Sequence, residues 1–313
     1  MKKQTTKKVS DNYRIEEIKK DYKVNKSLYL LLVPVIAYYV IFAYFPLYGA
    51  LIAFKDYTPG LGMKSPWVGL KHFVTFFTSP SFGILMRNTL RISLSTLVVT
   101  FPAPIILALL FNELRAQRFS KLVQNASYLP HFISLVVVCG IIKDFTSDKG
   151  IVTSLLSVFG MPRVSLLNYP KYFVPVYVVS EVWKGVGWGS IIYLAALTSI
   201  DASLYEAATI DGAGRFKQLI HVTLPGISST IIMMLIIRLG NVLTVGYEKL
   251  ILLYNDATLE VADVISTYVY RKGLLEQNWS YSTAVGLFNS AVSLIMLFAT
   301  NFISRKVSDY GLW

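Results

Sequence analysis

Long apolar runs separated by short polar islands set the pattern of this chain. Ser27 to Phe54 carries no charge for 28 residues, and a helix needs roughly 20 apolar residues to cross a bilayer. Pro34 and Pro46 are expected to kink or end parts of it, and Tyr38, Tyr39, Phe42, Tyr44 and Phe45 suit an interfacial belt. Further spans are predicted at Asn88 to Asn112 (broken by Pro102 and Pro104), Ala126 to Ile142, Tyr172 to Ser199, Ile227 to Tyr247 and Asn278 to Phe302. Gly-, Pro- and aromatic-rich segments at Lys55 to Met86 and Phe145 to Lys171 read as loops on one side, with a long, partly helical stretch from Glu248 to Gln277. Residues 1–26 form a basic tail, 27–304 the membrane body and 305–313 a short exit.

Composition fits this pattern. The chain has 313 residues, 54% of them hydrophobic and 15% charged, which is the profile of an all-α polytopic membrane protein. The formal charge of +12 could suggest nucleic acid, but the distribution of the cations argues for topology instead. With the N-terminus inside, sixteen Lys and Arg fall in cytoplasmic segments and nine in outer ones, Lys249 among the latter. That bias predicts six spans with both termini inside. The single cysteine, Cys139, excludes a disulfide framework within one chain. No cleavable signal is expected, because the first apolar run is too long for a signal core. No phosphate-binding glycine loop and no nucleophile–base arrangement points to catalysis.

One polar island is built differently from a tether. Between residues 201 and 225, Ser203-x-x-Glu206 is a capping-box pattern, and Ala207 and Ala208 are strong helix formers. Asp211-Gly212 is a turn signal in which Gly212 can take φ > 0 or a close approach. Amphipathic sequence resumes from Phe216 to Val222, and Pro225 suits the first turn of a new helix. The predicted local structure is helix, sharp turn, second helix and return to the membrane.

The spacing of Glu206-Ala207-Ala208, Asp211-Gly212-Ala213, Val222 and Leu224-Pro225 resembles the EAA loop of ABC importer permeases, in the carbohydrate-uptake branch. Leu219, Val222, Ser228 and Ser229 depart slightly from that branch's usual residues. Asn88-Thr89-Leu90, Tyr128-Leu129-Pro130-His131, Leu194-Ala195-Ala196-Leu197 and Gly311-Leu312-Trp313 resemble the oligosaccharide permeases and extend the likeness over most of residues 27–313. The resemblance implies a type I importer permease fold in a bacterial cytoplasmic membrane, with Glu206, Ala207, Ala208, Asp211, Gly212, Ala213, Leu224 and Pro225 docking on an ATPase. It also implies a second homologous permease, two ATPase subunits that hold ATP and Mg, and an extracytoplasmic binding protein delivering an oligosaccharide. No cofactor is implied on this chain itself. The nearest alternative is an ABC permease for another solute; a stand-alone ion-driven transporter would leave the loop's spacing unexplained, and a membrane-embedded enzyme would need clustered carboxylates or metal ligands.

Candidates for a substrate path are Trp183, Lys184, Trp188, Tyr193, Arg238, Asn241, Tyr247 and Glu248. The aromatics could stack on sugar rings, or equally pack or face lipid. Arg238 lies about mid-span, where a charge costs roughly 2.5–3.5 kcal/mol unless it faces protein or water. It either meets an anionic sugar or pairs with Glu181. Glu181 and Lys184, three residues apart on one helix turn, are placed to pair with each other. His131 and Asn301 are expected to cap or pack.

Overall fold

The computed structural model describes residues 20–114, 116–243 and 245–308. Most of the basic tail, Arg115 and the closing Gly311-Leu312-Trp313 lie outside the described residues. Every named element among the described residues is helical. The chain begins with α1, Lys26–Tyr39, and runs on through a π-helical turn, Val40–Tyr44, into a 3-10 stretch, Phe45–Phe54. Pro34 is carried inside α1 without breaking it. The change of pitch falls just ahead of Pro46, whose missing N–H cannot continue the i→i−4 ladder. None of the most apolar window of this helix is buried in the chain. Its side chains form an outward apolar surface.

After a loop closed by a Lys55–Trp67 bridge come α2, Lys71–Thr78, then α3, Pro80–Thr100, and α4, Pro102–Glu113. Helix α3 starts eight residues before the predicted second span: Ser79 caps it, accepting a hydrogen bond from the Ser81 N–H, and Pro80 opens it. The break expected near Pro102 is confined to Phe101, and α3 and α4 together form one continuous helical stretch of 34 residues with an apolar window long enough to cross a membrane. What the sequence suggests is one third span is two helices, α5, Gln117–Phe132, and α6, Leu135–Phe145, bent by 104°. Ser134 makes the corner by capping α6, its hydroxyl accepting from the Val137 N–H.

A short amphipathic α7, Ile151–Val158, precedes the 29-residue α8, Pro170–Thr198, which packs against α3, α4 and α5. Gly187 makes the α5 contact possible: a Cβ there would run into the backbone carbonyl of Ser127. Beyond α8 lie α9, Ala202–Ile210, and α10, Arg215–Gly226, followed by α11, Ser228–Gly240. The stretch after α11 folds into α12, Tyr247–Leu253, α13, Leu259–Ala262, and α14, Ile265–Tyr270. The chain's last described helix is α15, Trp279–Ser308. Among the described residues three helices are long and apolar enough to cross a membrane, and three bent pairs raise the number to as many as six.

The 248–277 stretch is not merely a surface loop. Leu250 and Leu253 of α12 are buried with Val138 and Cys139 of α6 and with Phe173 and Tyr177 of α8. Lys249 is only 2% exposed, so it is not the free outer cation that its place in the sequence implies. Asn88 and Thr89 hold this segment from across the fold. Asn88 Nδ2 donates to the carbonyls of Glu260 and Asp263 at 2.7 and 3.0 Å, and Thr89 Oγ1 accepts from the Ile265 N–H at 3.1 Å. The Arg271 guanidinium adds a pair with the Asp263 carboxylate at 2.6 Å, and that hydrogen bonding raises the Arg271 pKa further. A separate cluster of Ile105, Ala108, Tyr193, Leu197 and Ile227 packs α4 and α8 beneath the α9–α10 hairpin.

Candidate functional site

The hairpin is rigid for local reasons. Its N-cap is Asp201, not the expected Ser203: the Asp201 carboxylate accepts from the Ser203 N–H at 2.9 Å. This hydrogen bond, the usual device for an orphan helix N–H, holds the Asp201 carboxyl below its ordinary pKa. The Ser203–Glu206 capping box is therefore not formed, and Glu206 stays exposed on the first full turn of α9. At the other end Gly212 takes φ +74°, in the left-handed region that an L side chain resists. The Ala213 N–H reaches back to the Ala208 carbonyl at 2.8 Å and the Gly212 N–H to Thr209 at 3.0 Å. That is the Schellman arrangement, and it closes α9 so that α10 returns alongside it.

Two side chains strap the arms together. Gln218 Nε2 donates to Thr209 Oγ1 and to the Ala213 carbonyl, each at 3.0 Å, and the Tyr205 and Thr223 hydroxyls meet at 3.0 Å. Arg215, the first residue of the second arm after the turn, lies 3.7 Å from Glu113 at the end of α4 in an exposed pair. Pro225 stands in the first turn of a short helical segment, Leu224–Gly226, as its sequence position suggests. The second arm continues through a π-helical turn, Leu219–Thr223, past Pro225, and bends by 60° into α11. What remains outside is unusual for a polar loop: Ile210 is 86% exposed and Phe216 73%. Large apolar side chains presented beside an exposed Glu206 on a stiff hairpin form a surface suited to another protein.

A second feature lies between α3, α8 and the break after α11. Here a cavity of about 180 Å³ is lined by Ser93, Thr96, Tyr177, Glu181, Arg238 and Asn241, among others. The hydroxyl oxygens of Ser93 and Thr96 are buried without a hydrogen-bond partner. The expected Glu181–Lys184 pair does not form. Glu181 Oε1 is held instead by Lys249 Nζ at 2.6 Å, and Lys249 also sits 4.8 Å over the Tyr177 ring. Lys249 and Glu181 are 68 residues apart, and the fold brings them together where local spacing could not. No carboxylate among the described residues lies within ion-pair distance of Arg238, so it is not the structural partner of Glu181.

The other path candidates scatter. Tyr193 is buried in the cluster beneath the hairpin. Trp188 stacks on His131 with ring centroids 4.7 Å apart, which is the packing role expected of that histidine. Trp183 borders a larger apolar groove with Tyr172 and Val176. Tyr247 stacks on Tyr270, Glu248 is exposed, and Lys184 is half-buried away from the cavity lining. Ser93, Thr96 and Lys249 were missed by sequence reasoning. Hydroxyl residues in an apolar run carry no signal of their own, and Lys249 reads as a surface charge.

The fold and the hairpin together define a helical membrane protein with a structured, partly apolar loop exposed on its surface. Residues 94–309 match the family described as binding-protein-dependent transport system inner membrane component, and the chain belongs to that family. It is 46% identical over 293 residues to protein LplB of Bacillus subtilis, covering 93% of this chain and 92% of that one. It is 44% identical to the polygalacturonan/rhamnogalacturonan transport system permease protein YteP of the same organism, covering 92% and 90%. Among solved structures, a chain of a bacterial ABC transporter involved in the import of the acidic polysaccharide alginate superposes with a TM-score of 0.86. The identity is 44%, over 93% of this chain and 99% of that one.

Proposed function

We propose that the chain is the permease subunit of an ATP-driven importer that carries an oligosaccharide across a bacterial cytoplasmic membrane. The observation that carries this reading is the α9–α10 hairpin, capped at Asp201, closed at Gly212 and exposing Glu206, Ile210 and Phe216. The hairpin docks on a separate ATPase, which holds the ATP and Mg, and passes its closure to the membrane helices through the Glu113–Arg215 contact and the 60° bend into α11. Six spans with both termini inside put the hairpin on the ATPase side, in keeping with the excess of cations there. The saccharide assignment draws on the relatives: one is a permease for polygalacturonan or rhamnogalacturonan, and one related alginate transporter was solved in complex with an alginate pentasaccharide-bound periplasmic protein. The partners are then a second homologous permease, two ATPase subunits and an extracytoplasmic binding protein.

The number of hairpins makes assembly testable. One chain carries one hairpin, whereas a dimeric ATPase offers two docking sites, so a second permease must supply the other. Co-expression of this chain with the ATPase and the second permease is expected to give a complex whose ATP hydrolysis rises with saccharide-loaded binding protein. A stable homodimer of this chain that supports the same stimulated hydrolysis with the ATPase alone would refute the heterodimer. Failure of any saccharide to stimulate the complete complex would refute the substrate class.

A further inference from the structure

We infer that Lys249 is a positioning residue for charge selection: by holding Glu181 it leaves Arg238 free in the α3–α8–α11 cavity to receive a carboxylate-bearing sugar unit. The inference rests on the proposed saccharide permease function and adds to it a substrate charge and a device that maintains it. Glu181 and Arg238 line the same small cavity. A carboxylate and a guanidinium left alone there would pair, because the fork of Arg matches a carboxylate in geometry as well as charge. The site would then present no net charge to a ligand. The structure shows a different arrangement. Glu181 turns to Lys249, whose side chain is 3% exposed, at 2.6 Å, and the ring of Tyr177 covers the ammonium from a second side. With its counterion engaged, Lys249 is neutralised, Glu181 is neutralised, and Arg238 is the charge left over.

A buried ion pair is a weak source of stability compared with two apolar side chains of similar size, so packing alone gives no reason for this one. Its placement beside Arg238 does. The rest of the cavity wall is equipped for a hydroxylated ligand. The Ser93 and Thr96 hydroxyls are buried with no partner, and such groups cost free energy unless a ligand or water engages them. Asn241 borders the same space at the C-terminal end of α11. One cation and two unpartnered hydroxyls in a space of about 180 Å³, with the Asn241 amide donating to the Ile237 carbonyl and its oxygen left to accept, suit a single uronic acid unit of a chain, with its carboxylate on Arg238.

The test measures uptake in cells carrying the complete transporter, using oligogalacturonides and oligomannuronates and the same oligomers with each carboxyl reduced to a primary alcohol. The amount of membrane complex recovered with the ATPase is measured alongside. Lys249→Met releases Glu181 to Arg238 and is expected to lower uptake of the acids by about tenfold or more relative to the reduced oligomers, with the complex still assembled. Lys249→Met with Glu181→Gln removes the competitor as well and is expected to restore uptake of the acids. Adding Arg238→Gln to that double variant should abolish it again. If Lys249→Met destabilises the complex, the double variant, with no buried charge, supplies the background in which Arg238→Gln is read. Equal loss of acids and reduced oligomers, or full acid uptake in the triple variant, overturns the charge-selection role. If the wild-type transporter takes up only reduced oligomers, the charge assignment fails while the saccharide reading stands. If it takes up neither set, the saccharide reading itself fails.

Discussion

Replacing Gly212 isolates what the hairpin turn contributes. The residue sits at φ +74°, and a Cβ built there meets nothing within 4 Å. The penalty for any other residue is therefore conformational, not steric crowding against the rest of the chain. For an ordinary L residue the left-handed region costs about 1–2 kcal/mol. Asn tolerates it better because its short side chain can bond locally, and a β-branched residue tolerates it worst. At about 1.4 kcal/mol per tenfold, Gly212→Ala should lower the closed hairpin population relative to alternatives by about 5- to 30-fold. Gly212→Val should exceed that, and Gly212→Asn should fall well short of it. Opening the turn loses the hydrogen bonds from Gly212 and Ala213 back to Thr209 and Ala208, so α9 frays and the angle between the arms is no longer fixed. The assay is ATPase co-purification together with saccharide-stimulated ATP hydrolysis, on membranes matched for inserted protein. The expected order of activity is Gly, Asn, Ala, Val. If Asn is as damaging as Val, side-chain bulk against the partner decides the effect; if Val is harmless, the turn does not transmit force. Either result refutes the conformational argument.

Glu206→Lys reverses an exposed charge on α9 that makes no ion pair among the described residues, so membrane insertion should be unchanged while ATPase attachment weakens and uptake is lost. Wild-type uptake by this variant would remove Glu206 from the docking surface. Gly187→Ala drives a methyl into the Ser127 carbonyl and must separate α5 from α8. Overpacking of this kind costs about 1–3 kcal/mol, and a lowered unfolding temperature of the detergent-solubilised complex is the expected readout; an unchanged one would mean the two helices separate freely.

The hairpin was legible because its signals are local. Gly212 and the residues around it announce a turn within a few positions, and the positive φ is where that reading places it. The cap was misplaced by two residues for an equally local reason. Asp201 and Ser203 both offer an oxygen to the first turn, and only the backbone entering the helix decides which is used. Hydropathy found the apolar runs but not their direction. Ala126 to Ile142 contains no charge to mark the 104° corner, and Ser134 looks like any small polar residue until the chain turns at it. The family-like Asn88-Thr89 pair shows the reverse case. The motif can be read from sequence, but its work cannot: it fastens α3 to backbone groups more than 170 positions away.

Lys249 shows most clearly what a one-dimensional reading lacks. Counting charges by segment treats every cation as solvated, and on that basis Lys249 weighed against the N-in orientation. Buried against Glu181 and Tyr177, it is part of the packed body. The same correction frees Arg238 from the partner that sequence reasoning offered it. That consequence follows from one 2.6 Å contact, because a carboxylate engaged by Lys249 is not at the same time the partner of Arg238. In a membrane protein, where few charges are present to begin with, locating one such pair changes the chemistry assigned to the cavity beside it.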